Sequence, residues 1–367
     1  MAIELLRKLV AFDTTSRNSN LQLVSWAADF LERIGARVCV IPDPTGAKAN
    51  LLASFGPDAP GGIVLSAHTD TVPVDGQVWS SDPFQLVERE GRLHGRGAVD
   101  MKGFIACCLA AAREFSQALL KRPIHLALTY DEEIGCFGAS SLAADLAGRL
   151  PAPTVVVVGE PTGMRIADRH RGYLGFRTSF HGRAAHSGDP GLGESAIAAA
   201  SRFVSLLLEN MPGAAGSEST TVNVGLISGG THINIVPGLC EVHWEIRPAA
   251  DADVAELRSR AEAIIHRACS GNLRSETKAT VDIPPLRPAV DHQAIELVEK
   301  LGGVTPLAEL PFGTEAGFFQ AVGLPAVVCG PGSIEQAHQP DEWISIQQLQ
   351  DASRFMGRVA EWAQRDR

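Results

Sequence analysis

Four short runs of apolar residues are continuous rather than alternating along the chain. They are Ile63–Ala67, Ile124–Thr129, Val155–Val158 and Ala326–Cys329. A strand that is covered on both faces has this pattern, because neither row of its side chains meets water. The runs therefore predict an α/β fold with a mostly parallel sheet and helices on both faces, and Gly103–Leu120 is predicted to form one of these helices.

Residues 173–283 have a different pattern. The segment LCEVHWEIR (239–247) alternates apolar and polar residues, which indicates a strand with one buried face. Two amphipathic helical patterns, Glu194–Asn210 and Val254–Cys269, lie in the same stretch. We therefore predict an inserted α+β domain over residues 173–283, and a larger α/β domain formed by residues 1–172 and 284–367.

Length and charge narrow the class of protein. A chain of 367 residues favours two domains. The net charge of −10 argues against nucleic acid and anionic lipid as partners, because both would be repelled. Seven cysteines without a C-x-x-C pair favour reduced thiols, and neither a cleavable signal nor an apolar run of bilayer length is present. We expect a cytoplasmic protein that does not bind membranes.

Carboxylates and imidazoles directly follow three of the predicted strands. Two further candidates lie in loops: Asp100 in a Gly-rich loop just before the helix that starts near Gly103, and His338 after the last apolar run. Ligands of open α/β sheets bind beyond the carboxyl ends of the strands. Taken singly, such residues are usually ordinary polar or turn residues, but burying several of them around one crevice without a cation would be costly. The group consists of His68, Asp70, Asp100, Glu132, Glu133, Glu160 and His338.

The charges in this group favour two metal ions. Asp100, Glu133 and Glu160 with a bridging hydroxide carry four negative charges, which two divalent cations balance, and His68 and His338 are neutral donors. Two ions about 3.5–4 Å apart can share one carboxylate and activate one water molecule.

The remaining members of the group are expected to support the ligands. Asp70 lies two residues after His68 and can hold the second nitrogen of its imidazole. Adjacent Glu132 and Glu133 should point in opposite directions, so that one is a ligand and the other is free to act as a base.

These residues stand in segments that resemble the di-zinc M20 family of metallopeptidases and amidohydrolases. Within that family, FGTEAGFF and CGPGSIEQAHQPDEW look closest to the acetylornithine deacetylases. The segments that carry the family resemblance are SAHTDTVPV, GRGAVDMKG, TYDEEIG, GEPT and AHQPDE.

The resemblance assigns roles in the larger domain. It implies that His68, Asp100 and Glu160 hold one zinc ion, and that Asp100, Glu133 and His338 hold the other. It also implies that Glu132 is the general base, that Asp70 supports His68, and that the Asp100–Met101 peptide bond is cis.

The inserted domain resembles the lid and dimerisation domain of the family. His186 matches a residue that stabilises the developing oxyanion, and we expect it to act in the partner subunit of a homodimer; the alternative is a histidine bonded within its own domain. Asn234 and Arg247 match residues that bind a substrate carboxylate. The alternative for Arg247 is an exposed strand arginine paired with Glu245 or Glu241.

The resemblance implies hydrolysis of N2-acetyl-L-ornithine to acetate and L-ornithine, a step of arginine synthesis, with zinc as the expected metal and cobalt as the alternative. Glu315 in PFGTEAG could meet the side-chain ammonium of that substrate, or else be a solvent-facing loop charge. Succinyl-diaminopimelate, another acylated amino acid or a dipeptide are alternative substrates. A catalytically inactive binding protein would be expected to lack the base, whereas Glu132 is present.

Overall fold

The structure, a computed structural model, describes residues 1–211, 220–269, 271–288, 292–304 and 309–366. Its strands are β1 (Arg37–Pro42), β2 (Ala49–Phe55), β3 (Ile63–His68), β4 (Val87–Arg89), β5 (Arg92–His94), β6 (Ile124–Thr129), β7 (Val155–Pro161), β8 (Tyr173–His181), β9 (Ala185–His186), β10 (Thr221–Gly229), β11 (Ile235–Val236), β12 (Leu239–Arg247), β13 (Arg274–Ile283), β14 (Ala326–Gly330) and β15 (Trp343–Ser345). Its α-helices are α1 (Ala2–Val10), α2 (Leu21–Arg33), α3 (Gly103–Gln117), α4 (Phe137–Arg149), α5 (Ala196–Asn210), α6 (Val254–Ala268), α7 (Gln293–Lys300), α8 (Ala316–Ala321) and α9 (Ile346–Gln364).

The chain divides into two compact units. The first comprises Met1–Arg169, Pro288–Ala308 and Thr314–Arg367, and the second comprises His170–Arg287 and Glu309–Gly313. The short segment Glu309–Gly313 was predicted to belong to the larger domain. It groups with the second unit, where Arg171 forms an ion pair with Glu309 and donates its backbone N–H to the carbonyl of Leu310.

A six-stranded sheet forms the centre of the first unit, in the order β1-β2-β6-β3-β7-β14. The four predicted apolar runs are its four parallel strands, β3, β6, β7 and β14, which confirms the fold prediction. The antiparallel pair β1–β2 was not predicted. It is a hairpin closed by the turn 43–48, in which the backbone N–H of Asp43 donates to the carbonyl of Lys48.

Helices cover both faces of this sheet. Leu51 of β2 belongs to the main apolar core, together with residues of α1, α2, α3 and α9. Its neighbour Asn50 points the other way and donates to the carbonyl of Gly138 in α4, at 2.9 Å. Sheet residues on both faces are therefore buried, which explains why the strands contain continuous apolar runs.

The second unit is built around an antiparallel sheet in the order β10-β12-β8-β13. Along β12, Cys240, Val242, Trp244 and Ile246 are buried and alternate with more exposed polar residues, as predicted. Helices α5 and α6 pack on the buried face. A separate two-stranded ribbon pairs β9 with β11.

All seven cysteines are free thiols. Within the described ranges, no helix combines the length and the apolar character needed to cross a bilayer.

Candidate metal centre

The parallel strands bring the predicted ligands to one edge of the sheet. His68 is the last residue of β3, Glu132 and Glu133 follow the end of β6, and Glu160 lies near the end of β7. Asp100 lies in the segment Ala98–Lys102, which leads into α3. Its φ and ψ angles, −122° and 92°, are not helical, and its peptide bond to Met101 is cis. The loop after β14 contributes His338.

Asp100 lies between two imidazole rings. Its Oδ1 is 2.9 Å from Nε2 of His68, and its Oδ2 is 3.1 Å from Nε2 of His338. Glu133 approaches the same nitrogen of His338, at 3.1 Å, and Glu160 approaches Nε2 of His68, at 3.6 Å. The Asp100 carboxylate thus lies between two pairs of possible metal ligands: His68 with Glu160, and His338 with Glu133.

The donor set fits divalent cations. Ligand atoms of His68, Asp100 and Glu133 lie within 4.8 Å of one another, as do those of His68, Glu132 and Glu160. Oε1 of Glu160 is buried and accepts no hydrogen bond from the described residues. A buried carboxylate oxygen without a donor is costly, and a cation beside it would remove that cost.

The backbone fixes the orientation of the His68 ring. Its Nδ1 is 3.0 Å from the carbonyl oxygen of Asp70, which can only accept, so Nδ1 carries the proton and Nε2 of the neutral ring is free to bind a cation. We expected the Asp70 carboxylate to make this contact, but it lies 3.6 Å away. That carboxylate instead accepts from the backbone N–H groups of Glu132 and Glu133 and from the hydroxyl of Ser16.

The pKa values in the cluster reflect crowded negative charge. Burial raises the pKa of Glu132 and of Glu160 well above the usual range, and with the charge of Asp100 it raises the pKa of Glu133 to about 6. Hydrogen bonds to Asp100 and Glu133 raise the pKa of His338 to about 11. Without metal, bound protons on these groups offset part of the crowded negative charge. Divalent cations could offset the same charge, and their binding would release the protons.

Comparisons with known proteins place the chain in a family. Residues 64–362 match the model of peptidase family M20/M25/M40. The chain belongs to the M20 family. The M20 chain is 36% identical to the acetylornithine deacetylase of Proteus mirabilis over 377 residues, which cover 98% of this chain and 96% of that relative. It is also 36% identical to the acetylornithine deacetylase of Photorhabdus laumondii, over 94% of this chain and 92% of the relative.

Solved structures agree on the fold. A tripeptidase from Staphylococcus aureus superposes with a TM-score of 0.79 at 20% identity, covering 100% of this chain and 98% of that one. This confirms the M20 fold, a mixed and mostly parallel sheet with a separate antiparallel sheet. The chain is accordingly an M20 hydrolase with groups that can bind metal.

Sequence reasoning missed several partners of the site in this M20 hydrolase. Lys48 forms an ion pair with Asp131, and the thiol of Cys136 is 3.5 Å from Oε1 of Glu132. Arg96 forms a buried ion pair with Glu342. Of these, Arg96 and Glu342 lie in GRGAVDMKG and AHQPDE, two segments that carry the family resemblance, and their opposite charges are the signal in the sequence for a pair between them.

Glu315 is fully buried in the first unit, so the solvent-facing alternative is wrong. One of its carboxylate oxygens accepts from the hydroxyl of Ser66 in β3, at 3.0 Å, and the other accepts from the hydroxyl of Thr129 in β6. Burial raises the pKa of this carboxyl group. Because both oxygens are already engaged within the unit, this placement does not support the expected contact with a substrate ammonium group.

The second unit holds the other three predicted residues. His186 pairs with Ile235 in the β9–β11 ribbon, so Asn234, the residue before Ile235, lies close to His186. The side chains of His186 and Asn234 are both exposed. Nδ1 of His186 accepts from the backbone N–H of Gly188, so the neutral ring carries its proton on Nε2. That nitrogen is therefore a hydrogen-bond donor.

Arg247 is held within the same unit by two neighbours. Its Nε lies 3.2 Å from Glu245, which is the pairing named as the alternative, and its guanidinium lies 3.5 Å from the centre of the Tyr173 ring. Its side chain is one-quarter exposed, so an anion could still approach it. Its binding of a substrate carboxylate stays a prediction.

Proposed function

We propose that this M20 hydrolase cleaves the amide bond of N2-acetyl-L-ornithine, releasing acetate and L-ornithine. The observation that carries this proposal is the Asp100 carboxylate between His68 and His338, with Glu133 and Glu160 beside them. The choice of substrate is supported by the 36% identity to two relatives named acetylornithine deacetylase.

The proposed ligand sets are His68, Asp100 and Glu160 for one ion, and Asp100, Glu133 and His338 for the other, with zinc preferred and cobalt as the alternative. Two divalent ions bound there would supply Lewis-acid chemistry, polarising the acyl carbonyl and acidifying a water molecule.

The chain itself would move the proton and bind the substrate. Glu132, whose pKa burial raises, would accept the proton of the attacking water and pass it to the leaving amine nitrogen. Nε2–H of His186 would donate to the developing oxyanion, and Asn234 and Arg247 would bind the carboxylate of the substrate.

We further propose that the protein acts as a homodimer that pairs through its second unit. Several large apolar side chains of that unit are exposed, among them Leu226, Ile227, Leu239 and Ile233, the last at 95%. Leu226, Ile227 and Leu239 lie on the paired strands β10 and β12, and exposed apolar side chains on neighbouring strands favour an interface between proteins. A two-fold pairing would present the same loop of each subunit to its partner.

A hydrolysis panel tests the substrate assignment. The protein, supplied with Zn²⁺ or Co²⁺, is assayed on N2-acetyl-L-ornithine, N-acetyl-L-methionine, N-succinyl-diaminopimelate and a dipeptide, by following the released amine. We expect acetylornithine to have the highest kcat/KM and a chelator to abolish the activity. A higher kcat/KM on another member of the panel would overturn the substrate, and full activity in chelator would overturn the metal mechanism.

A further inference from the structure

Arg96 is a fully buried arginine between two loops that carry proposed metal ligands. Its side chain and that of Glu342 are each only 1% exposed, and they form an ion pair with 2.7 Å between Nη1 and Oε2. A buried pair of this kind is costly unless its remaining donors and acceptors are also satisfied. Among the described residues, Nε of Arg96 has no hydrogen-bond partner. Nη2 of Arg96 and Oε1 of Glu342 do have partners, and these indicate what the pair does.

The second carboxylate oxygen of Glu342, which is not paired with Arg96, holds the loop of Asp100. Oε1 accepts from the backbone N–H of Val99 at 3.0 Å and from that of Asp100 itself at 3.2 Å. Two hydrogen bonds to one carboxylate oxygen fix the backbone at the residue that lies between the two imidazoles.

The other end of the guanidinium leads to the loop of His338. Nη2 of Arg96 donates to Oε1 of Gln77, and Nε2 of Gln77 donates to the carbonyl of His338 at 3.0 Å. Trp79 holds Gln77 in place by donating its indole N–H to the same Oε1, at 3.1 Å, and the guanidinium lies 5.0 Å from the Trp79 ring. A continuous chain of hydrogen bonds thus runs from the backbone of Asp100 to the backbone of His338.

We propose that Arg96, with Glu342 and Gln77, is a positioning residue that holds Asp100 and His338 at the spacing one metal ion requires. This inference rests on the two-ion site of the proposed function. Arginine suits the position because its planar fork donates in several fixed directions at once, whereas a lysine ammonium is a compact charge on a flexible stem. The pair would act on the ion between Asp100, Glu133 and His338 more than on the ion beside His68, since only the former has a ligand in each loop.

Metal titration of four variants tests the proposal. Arg96→Lys keeps the charge opposite Glu342 but cannot donate like the guanidinium. Gln77→Ala removes the connection between Arg96 and the His338 carbonyl, and with it the acceptor of the Trp79 indole N–H, while leaving the Arg96–Glu342 pair in place. Arg92→Lys is the matched control, because Arg92 is exposed and its guanidinium lies over the Trp343 ring at 4.1 Å. His338→Ala assigns the sites, since the binding step that disappears in this variant belongs to the His338 ion. Each chelator-stripped protein is titrated with Co²⁺ by calorimetry, and its thermal midpoint is measured without metal.

We expect Arg96→Lys and Gln77→Ala to weaken the His338-assigned step by about 10–100-fold, with a smaller change in the other step and none in Arg92→Lys. A fifth variant combines Arg96→Lys with Gln77→Ala. It should bind Co²⁺ no more weakly than Arg96→Lys alone, because both changes break one chain of contacts. Unchanged Co²⁺ affinity in Gln77→Ala and Arg96→Lys would overturn the positioning role. It would also be overturned if Arg96→Lys weakened both binding steps equally and lowered the thermal midpoint, because that combination indicates a general loss of stability. Failure of the unmodified protein to bind two ions would instead refute the proposed function.

Discussion

At the residue scale, two adjacent glutamates meet different partners. Glu133 lies against His338, whereas Glu132 lies in the group of His68 and Glu160, with the Cys136 thiol beside one of its oxygens. We predict that Glu132→Gln keeps both metal ions but lowers kcat by at least about 10²-fold, because the amide cannot accept a proton. Elemental analysis and steady-state kinetics on acetylornithine check this. Near-normal turnover with two bound ions would show that another group is the base.

Glu315 leads to a prediction about substrate selectivity. Its carboxylate is fully buried and accepts hydroxyl hydrogen bonds from β3 and β6, so it connects two strands whose ends carry ligands. Glu315→Gln should therefore lower kcat/KM by the same factor for acetylornithine and for acetylmethionine. The ratio of the two values measures this directly. A loss confined to acetylornithine would restore the ammonium-binding role expected from the sequence.

At the scale of elements, β6 contains a histidine that makes stability depend on pH. Burial, and secondarily the charge of Arg37, lowers the pKa of His125 from 6.5 to about 4, and its Nδ1 is hydrogen-bonded to the hydroxyl of Ser54 at 2.8 Å. Between these two pKa values the unfolded chain takes up a proton that the folded chain does not. The contribution of neutral His125 to the free energy of unfolding is thus fully present above pH 6.5 and is lost as the pH falls towards 4.

His125→Gln cannot take up this proton. Between pH 7 and pH 5 the unmodified protein should therefore lose about 2 kcal/mol more unfolding free energy than the variant. Urea unfolding at the two pH values, with exposed His181→Gln as the control, measures the difference. An identical loss in the unmodified protein and His125→Gln would mean that His125 is protonated in the folded state.

At the scale of the whole molecule, the proposed dimer makes a complementation experiment decisive. Glu132→Gln subunits lack the base and His186→Ala subunits lack the donor, whose removal is expected to cost roughly 2.7–4 kcal/mol of transition-state stabilisation. If His186 acts in the partner subunit, mixed dimers contain one site with both residues intact and activity returns. Each variant mixed with itself is the control. Heterodimers that form without recovered activity would contradict action across the interface.

Local pattern was enough to predict the parallel strands and the candidate ligands. Short continuous apolar runs are typical of strands that are buried on both faces, so β3, β6, β7 and β14 could be predicted without the tertiary structure. The carboxyl ends of parallel strands lie at one edge, so His68 and Glu160 could be expected to meet. Alternation likewise predicted the buried face of β12, because its period of two is a property of the strand itself.

Only the tertiary structure decided which groups support those ligands. Glu315 lies among glycines in a segment with no periodicity. Its burial depends on Ser66 and Thr129, which are 249 and 186 positions away in the sequence. The Arg96–Glu342 pair likewise joins residues 246 positions apart. Whether a charged side chain is buried, and which partner balances its charge, depends on distant segments meeting in space, and a local pattern contains no information about that meeting.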